Sequence, residues 1–213
     1  MRQHASARPF TLVELIMVMG VLVLLAVVAV PAYSSLFAGH KTTLAANKVN
    51  AAVVEARTYA VSKKVYTALI FIKDGNGYRS FRLAEVYHNP ETENTTYSWR
   101  RWAPGSALEL LPDNTMIPAT VKDFGTTSGG SDGDTGSGAV PKVSNLTNSG
   151  FTSSVADRAI IFKPNGQLAG TSDGNVVVRF VEINRYEASS TTPKLPLNIN
   201  WLTCKTKFLE PVQ

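Results

Sequence analysis

The sequence has a single cysteine, Cys204, and three histidines, at positions 4, 40 and 88. One cysteine excludes an intramolecular disulfide framework, and histidines without companion cysteines do not favour a structural zinc site. Charged residues make up 17% of the 213 residues, against about 25% in an average soluble domain. The formal charge of +5 is small for a nucleic-acid-binding protein. The length allows one domain, or one domain with an appendage, and is sufficient for a hydrophobic core.

The apolar residues are concentrated near the start of the chain. The segment from Leu15 to Val30 carries no charge, and the longer stretch from Phe10 to Val30 would span about 31 Å as a helix. A secretory signal has a shorter apolar region, and a core helix of this length needs more surrounding protein than the chain provides. The sequence therefore predicts a transmembrane helix over residues 10–30. Arg2 and Arg8 precede it, which places the N-terminus in the cytoplasm and the remainder outside the inner membrane.

Glu14 interrupts the start of this apolar segment. A carboxylate one turn inside an apolar helix is costly to insert, so it indicates a partner or a function, unless it lies at the interface and snorkels. Phe10 precedes Glu14 by four residues and shares its helix face. If the chain were cut before Phe10, the new amine would lie close to the Glu14 carboxylate of the same or a neighbouring subunit.

The segment Phe10-Thr11-Leu12-Val13-Glu14-Leu15, followed by the apolar run and Pro31, resembles the N-terminal signal of type IV pilins and type II secretion pseudopilins. The resemblance implies that a prepilin peptidase cleaves between Pro9 and Phe10 and methylates Phe10, and that Glu14 guides filament assembly. It implies other pseudopilins or pilins as partners through the N-terminal helix, together with an inner-membrane assembly platform and membrane lipid. The implied location is the bacterial inner membrane as a single-pass protein with a periplasmic C-terminal domain, and a periplasmic filament after assembly.

The segment after the apolar run has the periodicity of an amphipathic helix. Apolar residues recur three or four positions apart, which predicts one buried face over residues 31–63, beyond a kink at Pro31. These residues are Ala45, Val49, Ala52, Val53, Ala56 and Ala60. The helix-to-strand junction from Glu55 onward, and the segment Ile160–Gly166 with its F-x-P-x-G pattern, are similar to H-type pseudopilins and related minor pilins.

The rest of the chain has the character of β-structure. The predicted strands are Val65–Lys73, Tyr78–Tyr87, Ala159–Lys163, Asn175–Ile183 and Leu197–Leu209, the last as one strand or two, with a hairpin turn over 74–77. Residues 125–150 are predicted to form a flexible loop, because Gly125–Gly138 is almost entirely Gly, Ser, Thr and Asp. The predicted fold class is α+β: a long N-terminal helix, its first half transmembrane, packed on an antiparallel β-sheet domain, as in pilins. The predicted parts are a leader over 1–9, helix halves over 10–30 and 31–63, and a periplasmic β-rich domain over 64–213.

No catalytic residue, metal ligand or cofactor site is predicted. Asp132-Gly133-Asp134 resembles a fragment of a calcium loop but lacks the further acidic residues that six to eight oxygen ligands require. The chain has neither a G-x-S-x-G elbow nor a phosphate-binding loop, so it is not expected to be an enzyme. The cluster Trp99-Arg100-Arg101-Trp102 could contact a partner, but a strand with half-buried tryptophans and solvated arginines is the favoured interpretation.

Lys205 and Lys207 occupy a position comparable to that of a C-terminal Gly-Arg-x-Arg motif in DNA-binding relatives. Alternate lysines also suit an edge strand, which is the favoured interpretation, so nucleic acid is not favoured as a partner. The resemblance thus predicts a minor pseudopilin, a structural subunit of a periplasmic pseudopilus in type II protein secretion. The alternative is a minor type IV pilin-like protein in pilus assembly, adhesion or DNA uptake.

Overall fold

The computed structural model describes residues 12–88, 97–120, 124–127, 138–141, 143–144, 146, 158–169, 174–183, 194–200 and 202–209. Within the helix, the side chains of residues 28–39 are excepted. The chain divides into two compact units, Met1–His40 and Lys41–Gln213. The second unit contains the β-structure and the hydrophobic core.

The first element is the helix α1, Leu12–Lys63. Its apolar side chains in residues 12–27 are exposed. Among the residues that the structure describes, no helix combines the length and the apolarity needed to span a membrane. The prediction of a transmembrane first half, and the fold class that included it, is therefore wrong.

The C-terminal part of α1 is held by small residues packed on the sheet. The six residues predicted to form its buried face are all buried, which confirms that part of the prediction: Ala45, Val49, Ala52, Val53, Ala56 and Ala60. Alanines allow close approach of the helix to the strands. The helix ends where Lys64 adopts φ 56°, and the Val65 amide donates back to the Ala60 carbonyl at 3.2 Å. This is the Schellman arrangement that satisfies terminal helix carbonyls.

Twelve strands lie in the described part of the chain. They are β1 Thr67–Asp74, β2 Gly77–His88, β3 Tyr97–Trp102, β4 Glu109–Leu110, β5 Thr115–Pro118, β6 Phe124–Thr126, β7 Gly138–Ala139, β8 Val143–Ser144, β9 Arg158–Phe162, β10 Val176–Glu182, β11 Leu195–Ile199 and β12 Thr206–Phe208. Each of the five predicted strand segments overlaps an observed strand, and the last of them overlaps two, β11 and β12. β-Branched and aromatic residues dominate these segments, which suits a pleated, buried surface.

The strands form one sheet with the main order β12-β11-β10-β5-β2-β1-β9. The other strands attach to this path, and β3 pairs with β2 on one edge and with β8 on the other. The β3–β8 pair is parallel, with Tyr97 opposite Val143, whereas the remaining pairs are antiparallel. The sheet is therefore mixed, and the prediction of an antiparallel sheet is wrong. About 40 residues separate β3 from β8, which leaves room for the crossover that a parallel pair requires.

The predicted hairpin is confirmed between β1 and β2. Asp74 pairs with Gly77, and Gly75 in the intervening turn has φ 61°, a value that glycine adopts readily. Gly77 is also required by space, because a Cβ there would lie 2.7 Å from the Ile117 carbonyl oxygen.

Both faces of the central strands are buried. In β1 and β2, Leu69 and Leu83 belong to the cluster that includes α1, whereas Ile70 and Ala84 belong to a second cluster on the opposite face. This two-sided burial explains why β1 begins with five consecutive buried residues.

Short strands lie within residues 125–150, the segment that was predicted to form a flexible loop. Gly125 and Thr126 belong to β6, which pairs with β10, and β7 and β8 also fall within the predicted loop. Backbone hydrogen bonds do not depend on side-chain composition, so a glycine- and threonine-rich segment can pair with a buried strand. The low-complexity run with Asp132 and Asp134 lies outside the described residues.

Candidate functional site

The residues predicted to act in processing and assembly belong to the start of the chain. Glu14 lies in the first turn of α1 and is exposed. Pro9 and Phe10 lie outside the described residues, and Pro31 falls within the backbone of α1. The roles assigned to these positions therefore stay predictions.

Lys205 and Lys207 are both exposed. Lys207 lies in β12, opposite Asn198 of β11, and β12 stands at one end of the main strand order. These are the positions that the edge-strand interpretation requires. This placement does not test the less favoured interpretation, in which the two lysines contact nucleic acid.

A buried carboxylate, Glu85 in β2, is the centre of the most developed polar cluster in the described residues. Its side chain is only 2% exposed. The Tyr59 hydroxyl of α1 donates to Glu85 Oε1 at 2.8 Å. Arg101 of β3 donates from Nε to Oε2 and from Nη2 to Oε1, each at 2.8 Å, and Arg100 Nη1 lies 3.5 Å from Oε2. The carboxylate thus joins α1, β2 and β3.

A β-bulge brings two successive arginines to the same carboxylate. The β2–β3 register shifts between Glu85 and Val86, so Glu85 is opposite Arg101 and Val86 is opposite Trp99, with Arg100 as the extra residue. In a regular strand, consecutive side chains point to opposite faces. Here both guanidinium groups contact Glu85, while their side chains stay 42% and 58% exposed. Trp99 and Trp102 are half-buried, which confirms the interpretation of this cluster as a strand with solvated arginines.

The electrostatics of the cluster follow from these contacts. The hydrogen bonds from Arg101 lower the pKa of Glu85 below its ordinary 4.5, against the opposing effect of burial. Burial, reinforced by the bond to Glu85, raises the pKa of Tyr59 above its ordinary 10.0. At neutral pH the cluster therefore holds an ionised Glu85 and a neutral Tyr59. It positions structural elements and contains no nucleophile paired with a general base.

Sequence reasoning singled out Arg100 and Arg101 but missed Glu85. The available signal was the alternation of β2, because Phe81, Leu83 and Glu85 share the face that packs toward α1. A glutamate in phase with buried apolar residues needs a cationic partner. Which arginine supplies it depends on the bulge in β3.

The F-x-P-x-G segment forms a turn packed directly on α1. The Gly166 amide donates to the Lys163 carbonyl at 2.8 Å, and Gly166 has φ 82°. A Cβ at this position would lie 3.0 Å from Val61 Cγ2 and 3.2 Å from Arg57 Nε. Glycine is therefore required both by its backbone conformation and by the approach of the helix.

The single cysteine ties the last hairpin to this turn. Cys204 is buried, and its Sγ donates to the Gly166 carbonyl at 3.0 Å. Burial raises the pKa of the Cys204 thiol, which keeps it protonated and of low reactivity. Its φ of 53° is held by the turn, in which the Cys204 amide donates to the Asn200 carbonyl at 2.8 Å.

A cavity of about 150 Å³ lies between α1 and the segment preceding β4. Its charged lining residues are Glu55, Arg82 and Glu109. Lys48 of α1 pairs with Glu109 at 3.3 Å beside it. The Ser106 hydroxyl in the lining donates to the Leu83 carbonyl, so it is engaged in holding the backbone.

No protein-family model matches the chain, and no curated protein matches it. Among solved structures, it is similar to the minor pseudopilin EpsH from the type 2 secretion system of Vibrio cholerae. That match has a TM-score of 0.41 and a sequence identity of 8%, and it covers 80% of this chain and 97% of the other.

Proposed function

We propose that this chain is a minor pseudopilin, a structural subunit of a periplasmic filament in type II protein secretion. One combination supports the proposal: the sequence carries a segment that resembles the pilin signal, and residues 45–60 of the helix α1 pack on a β-sheet. The F-x-P-x-G turn at Gly166, seated on the same helix, further supports the resemblance to H-type pseudopilins.

In this role the chain works by assembly, with its residues acting as contacts between and within subunits. The Glu14 carboxylate forms an ion pair with the N-terminal amine of a neighbouring subunit. The hydrogen bond from Tyr59 to Glu85 joins α1 to β2, so a force applied to the sheet is transmitted to α1. The cluster resists such a force because each carboxylate oxygen receives a direct hydrogen bond.

The first test removes the charge of Glu14. Glu14→Gln keeps the shape of the side chain, so we expect normal folding but an approximately tenfold lower recovery with the major filament subunit, because a shielded ion pair is lost. The measurement is co-purification after crosslinking in cells. The matched control is Glu55→Gln, which changes an exposed carboxylate of the same helix and is expected to leave recovery unchanged. Wild-type recovery of Glu14→Gln would contradict the proposed role of Glu14.

The second test concerns processing. Removal of residues 1–9 deletes Arg2 and Arg8 and no acidic residue, so the formal charge falls from +5 to +3. We expect intact-mass spectrometry of the protein from cells with an active prepilin peptidase to show a chain beginning with N-methylated Phe10. Cells lacking the peptidase should retain the leader. An intact leader in both strains would contradict assignment to this family.

A further inference from the structure

The cavity between α1 and the segment preceding β4 combines an apolar lining with charges of both signs. Its volume is about 150 Å³. Engineered cavities of this volume bind benzene, so the space admits a ligand of about six to eight non-hydrogen atoms. The apolar side of the lining consists of three side chains that are at most 6% exposed: Leu69, Phe81 and Leu83. An apolar lining with a few charged groups that orient the ligand is typical of small-molecule sites.

The negative charge available to a ligand in this cavity is that of Glu55. The other acidic residue of the lining, Glu109, is paired with Lys48 at 3.3 Å, and Lys48 also donates to the Leu110 carbonyl at 2.8 Å. Glu55 is exposed, and the ion pairs of the described residues do not include it. Its carboxylate can therefore accept a cationic group that enters the cavity.

The positive charge of the lining is the guanidinium group of Arg82. Its Nη2 donates to the Ser106 carbonyl at 3.0 Å, and its central carbon lies 4.6 Å from the centre of the Trp102 ring. These two contacts fix the position of the guanidinium group. Its Nε is buried and has no hydrogen-bond partner among the described residues. A guanidinium group has five N–H donors, so Arg82 can bind an acidic group of a ligand.

We propose that this cavity binds a small zwitterionic α-amino acid with an aliphatic side chain. The ammonium group of the ligand pairs with Glu55, and its carboxylate accepts hydrogen bonds from Arg82. The side chain packs on the apolar lining. A purely anionic ligand would lie beside Glu55 and a purely cationic one beside Arg82, so repulsion between like charges disfavours both. This binding goes beyond the proposed filament role and does not depend on processing or on Glu14.

The experiment titrates the purified full chain with L-valine and follows the ligand by saturation-transfer NMR. Isobutylamine lacks the carboxylate of valine, 3-methylbutanoate lacks the ammonium group, and glycine lacks the side chain. We expect valine to bind with a dissociation constant on the order of 1 mM, as suits so small a ligand. Each of the other three compounds should bind at least about fivefold more weakly, since each loses one of the three contacts.

Variants of the two charged residues test their assignment. Glu55→Gln is expected to weaken valine binding about fivefold, as for loss of an exposed charge pair. Arg82→Gln should weaken it about tenfold, because hydrogen bonds to a charged group are lost. The matched controls are Asp74→Asn and Arg79→Gln, which change an exposed ion pair of 3.5 Å in the β1–β2 hairpin. Both controls should leave the affinity unchanged within twofold.

Folding of each variant is checked by circular dichroism, and the exposed Glu55 keeps the test decisive if Arg82→Gln unfolds. Absence of valine binding would overturn the proposal. Equal affinity for isobutylamine or for 3-methylbutanoate would also overturn it, because one charge of the ligand would then be dispensable. Losses in the Asp74 and Arg79 variants equal to those in the Glu55 and Arg82 variants would place the binding outside this cavity.

Discussion

Replacing Glu85 by alanine is expected to lower the free energy of unfolding by about 2 kcal/mol, or the melting midpoint by about 6 °C. The substitution removes the acceptor shared by Tyr59, Arg100 and Arg101, and leaves the half-buried Tyr59 hydroxyl without its partner. Removing one member of a fully buried ion pair costs about 3–5 kcal/mol, but both arginines here are partly solvated, which reduces the loss. Thermal and urea unfolding of the full chain measure it.

A double-mutant cycle separates the ion pair from general disruption. Glu85→Gln and Arg101→Gln should each destabilise the protein, and the double variant should lose less than their sum, because the pair is removed only once. The exposed pair of Arg79 and Asp74 is the control, and Arg79→Gln should change stability by less than about 0.5 kcal/mol. Additive losses at Glu85 and Arg101 would show that the 2.8 Å contacts contribute no coupling.

The same cluster makes the free energy of unfolding depend on pH, and the sign of this dependence follows from the pKa of Glu85. Its pKa is lower in the folded protein than its ordinary 4.5, so the ionised form favours the folded state. The contribution is complete above pH 4.5 and is lost as the pH falls through the folded value. The stability difference between the wild type and Glu85→Gln should therefore be constant near neutral pH and narrow in acid.

Gly166→Ala is expected to destabilise the protein by about 2 kcal/mol. Part of the cost comes from φ 82°, which is unfavourable for an L-residue by about 1–2 kcal/mol, and part from the crowded Cβ. Gly105 provides a matched control, because it has φ 81° but no heavy atom within 4 Å of the place that a Cβ would take. Gly105→Ala should therefore show the backbone cost alone.

Relief of the crowding tests the second part of this explanation. Val61→Ala removes the methyl group that lies 3.0 Å from the place of a Cβ on residue 166, and Val61 is already 38% exposed. In this background Gly166→Ala should cost less than in the wild type. Equal losses for Gly105→Ala and Gly166→Ala would mean that the turn is not held by its contact with α1.

Much of the helix and of the strand positions could be predicted because their signals are local. The buried alanines of α1 recur at the helical period, and Asp74–Gly77 is a turn sequence between two β-rich segments. The transmembrane assignment was wrong, although it rested on the same kind of signal. The processing and assembly roles of Pro9, Phe10 and Glu14 rest on the motif alone and stay predictions.

The sequence by itself determined which residues of α1 face the core, where the main strands lie, and which segment resembles a pilin signal. Only the tertiary structure decided that β3 pairs in parallel with β8, that Arg100 and Arg101 both reach Glu85, and that the Cys204 thiol bonds to Gly166. The physical reason is the separation along the chain of the residues that interact. Periodicity is imposed by neighbours a few residues apart, whereas these pairings join distant segments and depend on one bulge and on the register of whole strands.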